Sequence, residues 1–465
     1  MKLRKWQIDC VQHALQLYNE QQHFMCLATP AAGKTLMAAE LSRCLLKSNK
    51  IDFILCFSPS AEVSNSIRAT FSKRLGNEFN GMMGSIGNAL TYQSMASLSP
   101  SFWRLLSSHR VMVIMDEVHH LKGHEFATPN AWGEEVLTHI QNKAAYTLAL
   151  SGTPWRSDKA PIVLSKFTEP DNTIHCDFVY GLHNAIEDGV CRTPRITLVD
   201  NDNIHLTEDI ESHTFNSISA LLDGSSFNYS ALLHHPEVML YLLSLGVNKL
   251  TETRALSPNA GGLVVATSIQ HALRLYDMLV NDFGQSACLV NSQMKHPSSI
   301  IEHFRFNDTQ WIVSVGMIAE GTDIPRLQVC CHLSRIKTEM HYRQVLGRVL
   351  RVDDSRNKVA WLFTLAEPSL IQFAYNVDTD LPDGGSVVFE QNTQSIDLSI
   401  SSGSQHANNP QNYEDKPESF HVANEVILKL GPRELQSKHC CVEEEANYNL
   451  AMLGDFKQQI VRLFG

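Results

Sequence analysis

The feature that most constrains this chain is an apolar run that breaks into a small loop and then a helix, with residues 24–35 reading FMCLATPAAGKT. Phe24–Thr29 predicts a buried strand, Pro30–Thr35 a tight loop and Leu36–Leu46 a helix. Strand, loop and helix in that order open an α/β unit in which backbone N–H groups and a helix N-terminus converge on one point. The expected ligand there is a nucleoside triphosphate. Thr29, Pro30, Ala31, Ala32 and Gly33 form the cradle, Lys34 brings a mobile charge to the phosphates, and Thr35 offers a hydroxyl to Mg²⁺. Without the strand and helix around it, the same segment would be an ordinary strand-to-helix turn.

The strand-and-helix alternation continues. A helix within residues 1–22 carries Trp6, Cys10, Val11, Ala14, Leu15 and Tyr18 at helical spacing. Further strands are predicted at Phe53–Ser58, Val111–Asp116 and Thr147–Ser151, separated by segments long enough for helical crossovers, so the sheet should be parallel. A second α/β series starts near Gly261, with strands at LVVATS, Ala287–Asn291 and Trp311–Val315 and helices at IQHALRLYDML and Ser298–Phe306. The expected organisation is a first lobe over 1–185, then hinge and second lobe over 186–378. Within the latter, 186–260 reads as polar and irregular, then helical around Ala231–Leu250. Residues 379–420, rich in Ser, Asn, Gln, Asp, Gly and Pro, read as a polar linker, and 421–465 as a small helical C-terminal extension.

Composition narrows the function. A chain of 465 residues, 43% hydrophobic, supports two or three domains with sizeable cores. It has no run of about 18 apolar residues, and MKLRKWQIDC lacks the apolar stretch of a secretory signal. A cytoplasmic protein without membrane contact is expected. The net charge of −11 argues against holding nucleic acid by bulk attraction, so any polynucleotide site must be a local groove. The 11 cysteines show no CxxC spacing and read as reduced, packed thiols, and the 21 histidines are too dispersed to suggest a metal centre.

The sequence VMVIMDEVHHL places Asp116-Glu117 at the end of an apolar strand, where a doubly wound sheet binds its ligands. Asp116 would hold Mg²⁺ through its water shell, and Glu117 would orient and deprotonate an attacking water. An Asp-Glu pair after a strand is often a solvated loop; the phosphate loop upstream favours the catalytic reading.

These motifs stand in an order that resembles the DExH-type helicases of superfamily two, over about residues 1–370. The resemblance implies two tandem RecA-like lobes with ATP between them. It places Gln7, in LRKWQ, at the adenine edge, where an amide offers one donor and one acceptor. It puts Ser58-Pro59 and Thr91 and Gln93 on the nucleic-acid backbone in the first lobe, and Thr267 and Thr322 there in the second. Ser151 and Thr153 of SGTPWR match the motif coupling hydrolysis to lobe movement, with His119 their partner, and EGTDIP supplies Gly321 and Asp323 near the nucleotide. In QVLGRVLR, Gln344, Arg348 and Arg351 fall at i, i+4 and i+7, one face of a helix, and would bring two guanidiniums to the γ-phosphate.

Two departures stand out. Ala31 occupies a position where the resembled proteins usually carry glycine, and Ala61-Glu62 replaces longer apolar residues. The expected function is an ATP-dependent nucleic-acid helicase or translocase, with DNA favoured over RNA. The alternatives are an RNA helicase and a nucleotide-gated binding or scaffold protein with little turnover. A small-molecule kinase would leave the distant arginines without a role. A protein partner is expected to dock on 421–465.

Overall fold

The computed structural model describes residues 2–121, 136, 138–152, 166–168, 173–208, 211–316, 318, 322–353, 357–379, 388–391 and 448–462. Two α/β layers account for most of them. The first sheet contains β1 (His23–Ala28), β2 (Phe53–Ser58), β3 (Gly87–Thr91), β4 (Val111–Asp116), β5 (Tyr146–Ser151) and β8 (Phe178–Tyr180). Their order is β3-β2-β4-β5-β1-β8, every pairing parallel. A small antiparallel hairpin, β6 (Lys166–Thr168) and β7 (Thr173–His175), stands apart from it. β4 is buried at every position, because parallel strands are covered by helices on both faces. The covering helices include Lys5–Leu17, Lys34–Lys47 and Ala61–Leu75.

The second sheet contains β9 (Thr193–Asn201), β12 (Gly261–Val265), β13 (Ala287–Val290), β14 (Trp311–Ser314), β15 (Leu327–His332), β16 (Val359–Leu365), β17 (Val388–Gln391) and β19 (Phe456–Arg462). Its order is β13-β14-β12-β15-β16-β9-β19-β17; the run from β13 to β9 is parallel, while β19 and β17 add antiparallel strands beyond β9. A third, antiparallel sheet joins β10 (Ile204–Glu208), β11 (Glu211–Phe215) and β18 (Tyr448–Met452). The expected pair of RecA-like lobes is therefore present. Among the described residues no helix is long and apolar enough to cross a membrane.

Two sequence expectations need correction. The stretch 186–260 is not irregular at its start: β9 belongs to the second sheet and pairs with β16 over Thr193–Val199. Ile196 through Asn201 are all buried, so β9 lacks the alternation that marks a half-exposed strand. The tail is not helical over 448–462, which forms β18 and β19. Met452, Phe456 and Ile460 do fall at helical spacing, but Asn201 Nδ2 donates to the Gly454 carbonyl (2.9 Å), fixing a turn between them. Pairing with β9 then overrides the helical period. Residues 421–447, part of the expected partner-docking segment, lie outside the described residues, as does most of 379–420.

The tail thus completes the second lobe, with Val461 fully buried opposite Ile196. Val461→Asp should destabilise that lobe by about 3–4 kcal/mol, as an unpaired buried charge does. Urea unfolding followed by tryptophan fluorescence checks this; an unmoved midpoint would mean that β19 is peripheral.

Candidate nucleotide site between the lobes

Sheet order sets out the site. Along the carboxyl edge of the first sheet the strand ends run Thr91, Ser58, Asp116, Ser151 and Ala28, so motifs scattered over 120 positions of sequence become one line. The phosphate loop leaves the end of β1 and enters the helix at Lys34.

Within the loop, Gly33 has φ 92° and Ala31 φ 71°. Glycine adopts that region freely, whereas the β-carbon of Ala31 is strained there. The loop is held from below by the first helix. Arg4 Nη1 donates to the Ala32 carbonyl (2.7 Å) and Gln7 Nε2 to the Gly33 carbonyl (2.9 Å). Gln7 Oε1 in turn accepts from the Arg4 N–H (2.8 Å), and Gln7 is only 1% exposed. Gln7 thus fixes the loop. Arg4, overlooked in the sequence although it sits three residues before Gln7, shares that task.

Lys34 is buried and does two things: Nζ donates to the Ala28 carbonyl (3.2 Å) and lies 3.3 Å from Glu117 Oε1. Glu117 reaches it from a left-handed backbone, φ 51° and ψ 55°, immediately after β4. Its other oxygen accepts from the Gly152 N–H (3.3 Å), a contact that follows from β5 lying between β4 and β1. Burial pushes the Glu117 carboxyl up, but the Lys34 ammonium, His119 and the Gly152 N–H outweigh it and hold the group well below the usual carboxylate range. Glu117 is ionised at neutral pH. His119 Nδ1 lies 3.0 Å from Ser151 Oγ and 3.5 Å from Glu117 Oε2, joining the Asp-Glu motif to the end of β5 as expected. Asp116 is 8% exposed, and its carbonyl accepts from Tyr92 Oη (2.7 Å).

The second lobe meets the loop through the helix Glu339–Val349. Gly347 is the point of contact: a β-carbon there would lie 2.5 Å from Pro30 Cβ, so the approach requires glycine. Gln344 and Arg348 share a face of this helix, Gln344 8% exposed and Arg348 Nη1 donating to the Thr322 carbonyl (2.8 Å). Arg351 does not complete the face. The helix ends at Val349, and Arg351 instead forms a β-bridge with Cys191. Its guanidinium pairs with Asp323, which also takes Arg305 (2.9 Å). Cys191 Sγ donates to the Pro30 carbonyl (3.7 Å), so the chain linking the lobes touches the phosphate loop as well.

The other expected contact residues are placed unequally. Gln93 is exposed and donates to the Pro59 carbonyl (3.1 Å), bringing two motifs together. Ser58 is fully buried, its hydroxyl shared with Ser64 Oγ (2.8 Å) and the Ser60 carbonyl (3.2 Å), so it shapes the turn that presents Pro59. Thr267 Oγ1 lies 3.0 Å from both His234 Nε2 and His271 Nδ1, and the Thr322 hydroxyl donates to Ile318 O (3.4 Å). Thr35 is half-buried at the first turn of its helix. Thr153 and Gly321 lie outside the described residues.

Comparison with known proteins agrees with this fold. Residues 1–156 match the family described as type III restriction enzyme, res subunit, and residues 247–353 the helicase conserved C-terminal domain. An uncharacterized protein of Mycobacterium leprae is 28% identical over 81% of the chain, and one of Mycobacterium tuberculosis is 27% identical over 80%. The chain spans 64% and 62% of the length of those relatives. Among solved structures, a fragment described as the HsdR subunit of a type I restriction enzyme from Vibrio vulnificus YJ016 superposes with TM-score 0.55 at 15% identity, covering 80% of this chain and 65% of its own. The type ISP restriction-modification enzyme LlaBIII bound to DNA gives 0.54 at 15% identity, covering 82% of this chain and 30% of its own. A Dbp5 variant from S. cerevisiae bound to RNA and ADP BeF3 gives 0.50 at 13% identity, covering 83% and 89%.

The strain at Ala31 is measurable. Ala31→Gly should raise stability by about 0.5–1 kcal/mol by relieving the left-handed backbone. Thermal melts of the two proteins check this, and an unchanged or lower midpoint would show that the Ala31 methyl packs well enough to offset the strain.

Proposed function

We propose, from the matches over residues 1–156 and 247–353, that the chain is a nucleic-acid-stimulated ATPase that moves along or unwinds DNA, with ATP bound between the two lobes. The observation that carries this reading is the Lys34–Glu117 pair, set beside the phosphate loop at the point where Gly347 brings the second lobe against Pro30.

The residues divide the work as follows. The loop N–H groups and Lys34 bind the β- and γ-phosphates, which outbid Glu117 for the ammonium because they carry more charge. Thr35 and Asp116 offer a hydroxyl and a carboxylate, the hard oxygen donors that suit Mg²⁺ while it keeps several waters. Held there, the ion would supply charge neutralisation to the phosphates. Glu117, released from Lys34 but still fixed by the Gly152 N–H, orients a water and takes its proton. Arg348 and Arg351 leave Thr322 and Asp323 to meet the γ-phosphate as the lobes close. His119 and Ser151 pass that change towards the first lobe's strand-contacting edge, where Pro59 and Gln93 lie together. Phosphate contacts of this kind carry little sequence preference.

DNA is favoured over RNA because the match over residues 1–156 is to a restriction-enzyme subunit. A second reading, a nucleotide-gated binding protein with slow turnover, is favoured by the positive φ of Ala31 and by the hold of Asp323 on Arg351.

Steady-state ATPase assays with single-stranded DNA, duplex DNA and RNA distinguish the readings. DNA should raise turnover, and Glu117→Gln should lower it by about 10²–10⁴-fold while ADP binding persists. Lys34→Ala should lose both turnover and nucleotide affinity. Stimulation by RNA alone would move the substrate to RNA. No stimulation by any polynucleotide, with the rate of Lys34→Ala equal to that of the parent, would end the motor reading.

A further inference from the structure

Arg192 is among the largest fully buried side chains, at 0% exposure, and no step above uses it. It lies on the segment that leaves the first lobe's last described helix, Leu182–Glu187, and enters β9. Its Nε donates to the Asn357 carbonyl (3.3 Å) and its Nη2 pairs with Asp353 Oδ1 (2.7 Å), while the two hydrogens of Nη1 are shared among the carbonyls of Pro325 (3.0 Å), Leu327 (3.3 Å), Val349 (3.4 Å) and Arg351. Its backbone N–H donates to the Leu350 carbonyl (2.7 Å). Three of these acceptors, at Val349, Leu350 and Arg351, are the last carbonyls of the arginine helix and its exit, where the helix dipole is negative and a cation is favoured.

A buried guanidinium is a costly way to fill space, since apolar residues of similar volume stabilise as well or better. What it adds is direction: a rigid fork fixes several carbonyls at once. Here the fork ends the helix at Val349 and holds the backbone that carries Arg351. On the adjoining residue, Cys191 bridges Arg351 and touches the Pro30 carbonyl. Linker, arginine and phosphate loop are thereby joined within a few residues.

We propose that Arg192, with Asp353, is a positioning residue that aims Arg351 at the terminal phosphate and ties its placement to the linker between the lobes. The proposal rests on the motor reading above. Arg192 acts through Arg351 and touches no substrate. A lobe rotation that moves the linker moves the backbone of Arg351 with it, so the guanidinium arrives only in the closed arrangement.

The test compares the parent with Arg192→Lys, which keeps charge but loses the fork, and with Asp353→Asn, a partly exposed position whose substitution spares the core. Arg351→Ala and the Arg351→Ala/Asp353→Asn double variant complete a cycle. Each single variant should lose about 10²-fold in polynucleotide-stimulated kcat, as small displacements of a reacting group do. KM for ATP and affinity for ADP should stay within about twofold, and the double variant should lose no more than Arg351→Ala alone. Turnover near the parent's in Asp353→Asn, or a loss in the double variant equal to the product of the singles, would overturn the proposal. A parallel fall in ADP affinity and melting temperature would also overturn it, since that is what a merely structural ion pair does. If the parent itself shows no Lys34-dependent turnover, the motor reading fails first and this inference falls with it.

Discussion

The arrangement depends on one ion pair, Lys34 with Glu117. It links the two motifs of the first lobe across β5, and each partner is held by a further contact, Lys34 by the Ala28 carbonyl and Glu117 by the Gly152 N–H. Neither is free to drift, so the loop and the carboxylate keep their relative geometry. An isolated buried pair of this kind contributes little net stability, because desolvation offsets the attraction. Its consequence is positional: the charge that would bind phosphate and the base that would activate water sit within one hydrogen-bond length.

The second lobe mirrors this device. Arg351 is neutralised by Asp323, and Arg348 is satisfied by a carbonyl, so both guanidiniums are oriented by their own lobe. Two charge sets, each paired within its own lobe, face each other where Gly347 meets Pro30. In the proposed function a polyphosphate between them would compete for both sets at once, and lobe closure would then depend on the nucleotide.

Much of this was legible in the sequence, and the failures have physical causes. The phosphate loop, Asp116-Glu117 and the strands that carry them were readable because buried parallel strands give unbroken apolar runs bounded by polar loops. The strand ends along the first sheet's edge followed from that, since βαβ connections place every crossover's start on one side. β9 was missed because Thr197, Asp200 and Asn201, polar yet buried, interrupt its apolar run. β18 and β19 were missed because their apolar spacing also fits a helix, and only the distant β9 decides between them. The helical face expected for Arg351 failed because the helix ends at Val349 and Arg351 bridges Cys191, a residue distant in sequence. Ala31, which the sequence marked only as a departure from glycine, has a positive φ, a local property of the loop.

The central claim, that Lys34, Glu117, Arg348 and Arg351 converge on one phosphate group, is tested most directly by determining the structure with Mg²⁺, ADP and aluminium fluoride. The account predicts Lys34 Nζ moved from Glu117 to the phosphate, Arg351 released from Asp323, and both arginines bonded to the fluoride group. Nucleotide bound with Lys34 still on Glu117 and Arg351 still on Asp323 would contradict it.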